Sequence, residues 1–312
     1  MGIFVFLPLL LPLTAWPIAR LAEQHLHPRV ATRLLTAVAG VMALCSTVCL
    51  ALLMVVGTAQ LPGNPLPDGW SDPEVRAAVP YDEVAGRVAI PALLVVAAAC
   101  ARTLWRHRRV RRRSHRALAG LPDTEVAVLP DATPYAYALP GRGARDRIVV
   151  TTALLHGLGP AERRALFAHE RAHLTAGHHR FLLTAQLAAR ANPFLRPLRT
   201  AVSYTTERWA DEEAARTVGD RRAVARAIGK AALVSRGTPL PTLAGLAAPG
   251  PVPRRVAALL GTAPPAPRTW PSLFTGVGAA AWTAAAGTAV SAMASANSAV
   301  TLVVILHAAT PL

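Results

Sequence analysis

Apolar and polar positions alternate on a scale of whole helices along this chain, and four long stretches stand out. Residues Ile3–Ala19 carry no charge, nor do Leu34–Ala59; Val84–Leu104 is broken near its ends by Arg87 and Arg102; and no charge follows Arg268. A bilayer-spanning helix needs about 20 apolar residues, and arginines near its ends can reach the interface. The pattern therefore predicts about four transmembrane helices, at roughly 3–19, 34–59 and 84–104 and within the tail 269–312, where one span is preferred to two short ones. Pro8, Pro12 and Pro17 make the first of these the least regular. Gly2–Ala19 lacks a basic leader and a small-residue cleavage site, so a retained span is expected rather than a removed signal peptide.

Between the third and fourth spans the pattern changes. Thr124–Leu129, Tyr135–Leu139 and Ile148–Thr151 read as strands, separated by Pro130-Asp131 and by a turn at Pro140-Gly141-Arg142-Gly143. From Pro160, a good first helical residue with Glu162 in the first turn, Leu166, Phe167 and Leu174 recur at helical spacing. Two further helices are expected at Thr205–Val218 and Arg221–Ser235, followed by a Pro/Gly-rich connection back to the membrane. The fold expected is mainly α: a membrane protein with spans in 1–105, a small α+β domain in 106–268 and a C-terminal span in 269–312.

Composition supports the membrane reading and sets its direction. Hydrophobic residues make up 53% of the 312 positions, beyond an ordinary soluble domain. The net charge is +16, and every basic residue except Lys230 is an arginine. Arg20, Arg29 and Arg33 follow the first span, whereas Asp68, Asp72, Glu74, Asp82 and Glu83 follow the second. Arg106, Arg108, Arg109, Arg111, Arg112, Arg113 and Arg116 then follow the third. The positive-inside rule places residues 106–268 in the cytoplasm of a plasma-membrane protein. The arginine run is read as a stop-transfer and anionic-lipid contact, with no nucleic acid expected. Cys45, Cys49 and Cys100 lie in apolar runs without a CxxC pair, which indicates packing rather than disulfides or a thiolate metal site.

The chemistry is concentrated at His169-Glu170-Arg171-Ala172-His173. Residues four apart share a helical face, so both imidazoles can bind one metal ion, and Glu170, one step round, is placed as the general base. A catalytic zinc needs a third protein ligand and one open position. Glu207 is the candidate, with Asp211 four residues later able to hold a ligand histidine through its other ring nitrogen. His179, ten positions after His169, is the competing third ligand, but the longer histidine pattern wants glycine at 176, where this chain has Ala176 and then Gly177. The alternative to catalysis is a scaffold protein with a closed structural zinc site completed by His178 or His179.

The order of spans, H-E-x-x-H, Asn192-Pro193-Phe194, Glu207-x-x-Ala210-Asp211 and a final span resembles the BlaR/MecR-type membrane metallopeptidases. The stretch Tyr135-Ala136-Tyr137-Ala138-Leu139-Pro140 followed by Ile148-Val149-Val150-Thr151 is similar to the HtpX and CAAX-prenyl-protease relatives, which share the gluzincin core. Those relatives usually place spans between the two zinc motifs, whereas residues 180–206 here contain arginines and no span-length apolar run, which favours the BlaR/MecR grouping. The resemblance implies a zinc endopeptidase with one ion per chain, held by His169, His173 and Glu207, acting on proteins or peptides in regulatory proteolysis. It also implies the peptidase module without the penicillin-binding sensor domain that full receptors carry after the last span.

Overall fold

The computed structural model describes residues 6–63, 66–71, 82–141, 145–235, 251–264 and 276–308. The acidic loop residues Asp72 and Glu74, the turn at Arg142-Gly143 and the Pro/Gly-rich stretch 236–250 lie outside the described residues.

The first apolar stretch does not form one spanning helix. Proline removes a backbone donor and clashes with the preceding turn, and here the chain is divided into a short helix Leu7–Leu10, a 3-10 turn Leu11–Thr14 and helix α1, Ala15–His25. Helix α2, Pro28–Ala59, begins at a proline in its first position, where the missing N–H costs nothing, and His27 caps it by accepting from the Arg29 N–H at 3.2 Å. Helix α3, Asp82–Ala117, continues without a break from its apolar half through the arginine run. Helix α10, Gly276–Ala308, is a single helix of 33 residues, as preferred from the sequence. Among the described residues three helices are long and apolar enough to cross a membrane, within α2, α3 and α10, rather than the four expected.

Helices α2 and α3 cross at their thinnest points. A Cβ built on Gly57 would fall 2.3 Å from the Gly86 carbonyl carbon, so only hydrogen fits there. In a bilayer, where lipid is as apolar as leucine, such close backbone approach supplies the contact that holds helices together.

Strands β1 (Val126–Leu129), β2 (Ala136–Leu139) and β3 (Arg147–Thr151) form a sheet in the order β1-β3-β2, with β1 parallel and β2 antiparallel to β3. The central strand is wholly buried and, among the described residues, β2 is an edge strand. Then follow α4 (Thr152–His156), α5 (Pro160–Thr175), α6 (His178–Ala191), α7 (Arg196–Val218), α8 (Arg221–Val234) and α9 (Val252–Leu260). Helix α7 starts nine residues before the sequence expectation, and α9 falls in what the sequence read as a connection.

One core is common to the α2 span and to helices α1, α6 and α7. Ala15 and Ala19 of α1, Leu35, Ala39 and Met42 of α2, Ala185 and Ala188 of α6 and Leu198 and Val202 of α7 are buried together. Polar pairs fix the register: Thr32 donates to Thr205 at 2.9 Å and Asn192 to Ser46 at 3.0 Å, all four buried. Buried polar groups demand partners, so each pair opposes sliding of α2 against the α6–α7 hairpin.

Candidate metal centre

Helix α5 is built to hold its middle rigid. Gly159 precedes it, Pro160 opens it, and Glu162 reaches back to accept from the Gly159 N–H at 2.8 Å while Lys230 of α8 donates to the same carboxylate at 2.8 Å. Its inner face carries Ala165, Ala168 and Ala172, and the facing side of α7 carries Ala210 and Ala214, all buried. Short side chains on both helices allow close approach, and the polar residues interleaved with them meet: His169 and His173 from α5, Glu207 and Asp211 from α7.

The structure brings together the three residues proposed as ligands. His169 Nε2 and His173 Nε2 lie 3.1 Å apart, and each lies 3.5 Å from an oxygen of Glu207. Tetrahedral zinc with bonds of about 2.0–2.1 Å requires donors separated by about 3.3 Å, so the set fits the ion. His169, His173 and Glu207 form a group able to hold a metal ion, and no fourth His, Cys, Asp or Glu joins it among the described residues. Asp211, fully buried, faces the other nitrogen of His169 at 3.0 Å.

Two residues outside the proposed ligand set complete the surroundings. Arg255, on α9, is buried; its Nε and Nη2 donate to the two Asp211 oxygens at 2.8 and 2.6 Å, and Nη1 lies 2.8 Å from Glu207. A signal was present: Arg255 and Leu259 are one helical turn apart and so share a face, from which the adjacent Arg254 is turned away, and a buried carboxylate pair needs a cation. His178 is the other. The sequence offered it as a fourth ligand of a closed site, yet it is completely buried behind His173, with Nδ1 3.0 Å from Nδ1 of His173 and its ring edge-on to Trp209 at 4.6 Å. Gly177 produces this placement, because its φ of +64° ends α5 and redirects the chain into α6. His179 takes no part in the metal-holding group, so the competing third-ligand reading has no geometric support.

Charge is balanced inside this pocket. Burial alone would raise Glu207 and Asp211, but the Arg255 guanidinium and His169 hold both carboxyls below their ordinary values. Burial disfavours protonated His169, yet its contacts with Asp211 and Glu207 win and raise it to about 10. His173, with weaker compensation, is pushed down by burial to about 4. Burial also pushes Glu170 up to about 7, opposed in part by the positive charges of His169 and Arg255 and by the nearby Ala138 backbone. Glu170 thus lies beside the edge strand β2.

Comparison with known proteins agrees with this geometry. Residues 101–188 match peptidase family M48. An 86-residue segment is 36% identical to a protein described as a protease HtpX homolog from Methanocaldococcus jannaschii, covering 27% of this chain and 28% of that relative. No solved structure matches the chain. These matches cover less than a third of the chain and show a likeness to M48 and HtpX-type proteases over that segment. The M48 segment runs from the end of the α3 span through the sheet and α5 and ends within α6, so Glu207, Asp211 and Arg255 lie beyond it.

Proposed function

We propose that this chain is an integral-membrane zinc endopeptidase whose metal is held by His169, His173 and Glu207 and whose general base is Glu170. The observation that carries this reading is the set of three donors at mutual distances of 3.1 to 3.5 Å with a carboxyl of raised pKa beside it. Zinc bound there would supply a Lewis acid and lower the pKa of water toward about 7. Glu170, poised near neutrality, takes the nucleophile's proton and delivers it to the leaving amine. Glu170 lies beside edge strand β2, whose outer edge offers backbone groups to an extended substrate strand, which selects unfolded or flexible segments. Asp211 orients His169 through its Nδ1, and Arg255 holds Asp211 and Glu207 in place.

The arginines of the α3 extension, read by the positive-inside rule, favour a centre on the cytoplasmic side of the plasma membrane. Substrates are then cytoplasmic or membrane-proximal proteins. The M48 and HtpX-type matches tie the α5 segment to that group, while the short arginine-bearing hairpin between His173 and Glu207 is the feature favouring a BlaR/MecR-type role in regulatory proteolysis. A closed structural zinc site would need a fourth donor, and His178, the nearest candidate, faces the far side of His173.

The test compares the purified full chain with Glu170→Gln. The variant should keep its zinc, measured by mass spectrometry, and lose cleavage of an unfolded protein by about 10²–10⁴-fold. Cleavage retained in a folded, zinc-loaded Glu170→Gln protein refutes the assignment. Comparing the fragments of cells carrying either form would then identify the substrates.

A further inference from the structure

The contact between Asn192 and Ser46 fixes a depth. A bilayer core of about 30 Å takes about 20 helical residues, and the uncharged run of α2 from Leu34 to Ala59 offers 26. Whichever 20 of them lie in lipid, Ser46 falls about 9 to 18 Å inside the boundary at the Leu34 end. That is the end nearer the metal centre, since Thr32 bonds Thr205, and the guanidinium groups of Arg29 and Arg33 lie 5.5 Å from the Trp209 ring centroid. The α6–α7 turn is held at that depth, because Asn192 donates to Ser46 and its own Oδ1 accepts from the Phe194 N–H at 3.0 Å. The inner face of the turn is packed, with Leu195 and Leu198 completely buried against α2. Its outer face presents Pro193 and Phe194, the latter 53% exposed, flanked by exposed Arg190 and Arg196.

An exposed aromatic at that depth meets acyl chains, and the arginines two residues outside Asn192 and Phe194 have long side chains that can extend along the helices toward headgroups. We propose that the α6–α7 turn is a lipid-inserted element: Pro193 and Phe194 lie among the acyl chains of the leaflet nearer the metal centre, and Arg190 and Arg196 contact that leaflet's phosphates. The turn has few open backbone groups, since it passes through a 3-10 turn at Pro193–Leu195 directly into α7. Helix α7 runs unbroken from there to Glu207, about 17 Å further along its axis. The depth of the turn therefore sets the height of the metal centre above the membrane.

The experiment uses the full chain in nanodiscs of phosphatidylcholine and phosphatidylglycerol, with Cys45, Cys49 and Cys100 replaced by alanine and zinc content and helicity checked. Nitroxides are placed singly by Phe194→Cys, Val95→Cys on the exposed face of the α3 span, and Val128→Cys on the sheet. The oxygen-to-nickel accessibility ratio at 194 should match that at 95 and exceed that at 128 at least about fivefold. A ratio at 194 equal to that at 128 overturns the proposal, and nickel-accessible labels at both 194 and 95 overturn the span assignment with it. Should the cysteine replacements unfold the chain, a photoreactive phenylalanine analogue at 194 in the native-cysteine protein takes their place. A phospholipid adduct there supports insertion; its absence, with an adduct formed from position 95, refutes it.

Discussion

Replacing Arg255 by methionine leaves protonated His169 as the one cation against two buried carboxylates while keeping much of the side-chain volume. Three polar contacts of 2.6 to 2.8 Å are lost, two to Asp211 and one to Glu207. Breaking a buried pair by deleting one partner costs about 3–5 kcal/mol, because the other charge stays buried without compensation. A second route gives a similar figure. Without the guanidinium, His169 can offset only one of the two buried carboxylates, so the pair's escape is to take up one proton on folding; for fully buried Asp211, from an unfolded pKa near 3.9, that costs about 4 kcal/mol at pH 7. For a chain of this size the melting temperature should fall on the order of 10 °C.

The sign with pH separates this account from simple loss of packing. In the wild type the Asp211 pKa is lowered, so its contribution to stability is present above the unfolded value and lost as pH falls through the folded one. In Arg255→Met the folded pKa is raised, so the penalty is present at neutral pH and relieved as pH falls, to about 1.5 kcal/mol at pH 5. Chelator-treated wild type and variant, unfolded by heat at pH 7 and pH 5, should therefore show a gap that narrows in acid. A gap under about 1 kcal/mol at pH 7, or one unchanged at pH 5, refutes the role given to Arg255. Arg255→Lys keeps the charge but not the fork, and should fall between wild type and methionine.

His169 is raised to about 10, so zinc must displace a proton to bind; titration calorimetry in buffers of different ionisation enthalpy should report about one proton released per ion near pH 7, and affinity should rise with pH. Removal of the metal with a chelator should abolish proteolysis, and added zinc should restore it. His178→Phe should weaken zinc binding about 10–100-fold without removing a ligand, since its ring nitrogen lies against the back of His173; unchanged affinity would show that the contact does not orient that ligand. Gly57→Val should force α2 and α3 apart at Gly86 and cost at least about 1–3 kcal/mol, read as a lower melting temperature in detergent.

What could be read from the sequence was whatever rests on local periodicity. A helix puts residues four apart on one face whatever surrounds it, so His169 and His173 declared themselves, and the same rule on α7 pointed to Glu207 and Asp211. Uncharged length identified α2, α3 and α10 because a bilayer imposes a minimum, yet it misjudged 3–19, where three prolines divide the helix. Neighbours distant in sequence left weaker traces. Arg255 and Asp211 are 44 positions apart, and an arginine on a short helix looks solvated until a buried acid pair is known to sit beneath it. His178 was hidden by a single dihedral: had α5 continued regularly through Gly177, its side chain would have lain on another face from His173, and only the left-handed backbone at 177 turns it inward. The depth of the α6–α7 turn was hidden for a related reason, since arginines at 190, 196 and 199 argue against membrane immersion when counted along the chain. They do so no longer once Asn192 is tied to Ser46, because a hairpin that enters one leaflet and returns can keep its charges at the surface while its tip stays in lipid.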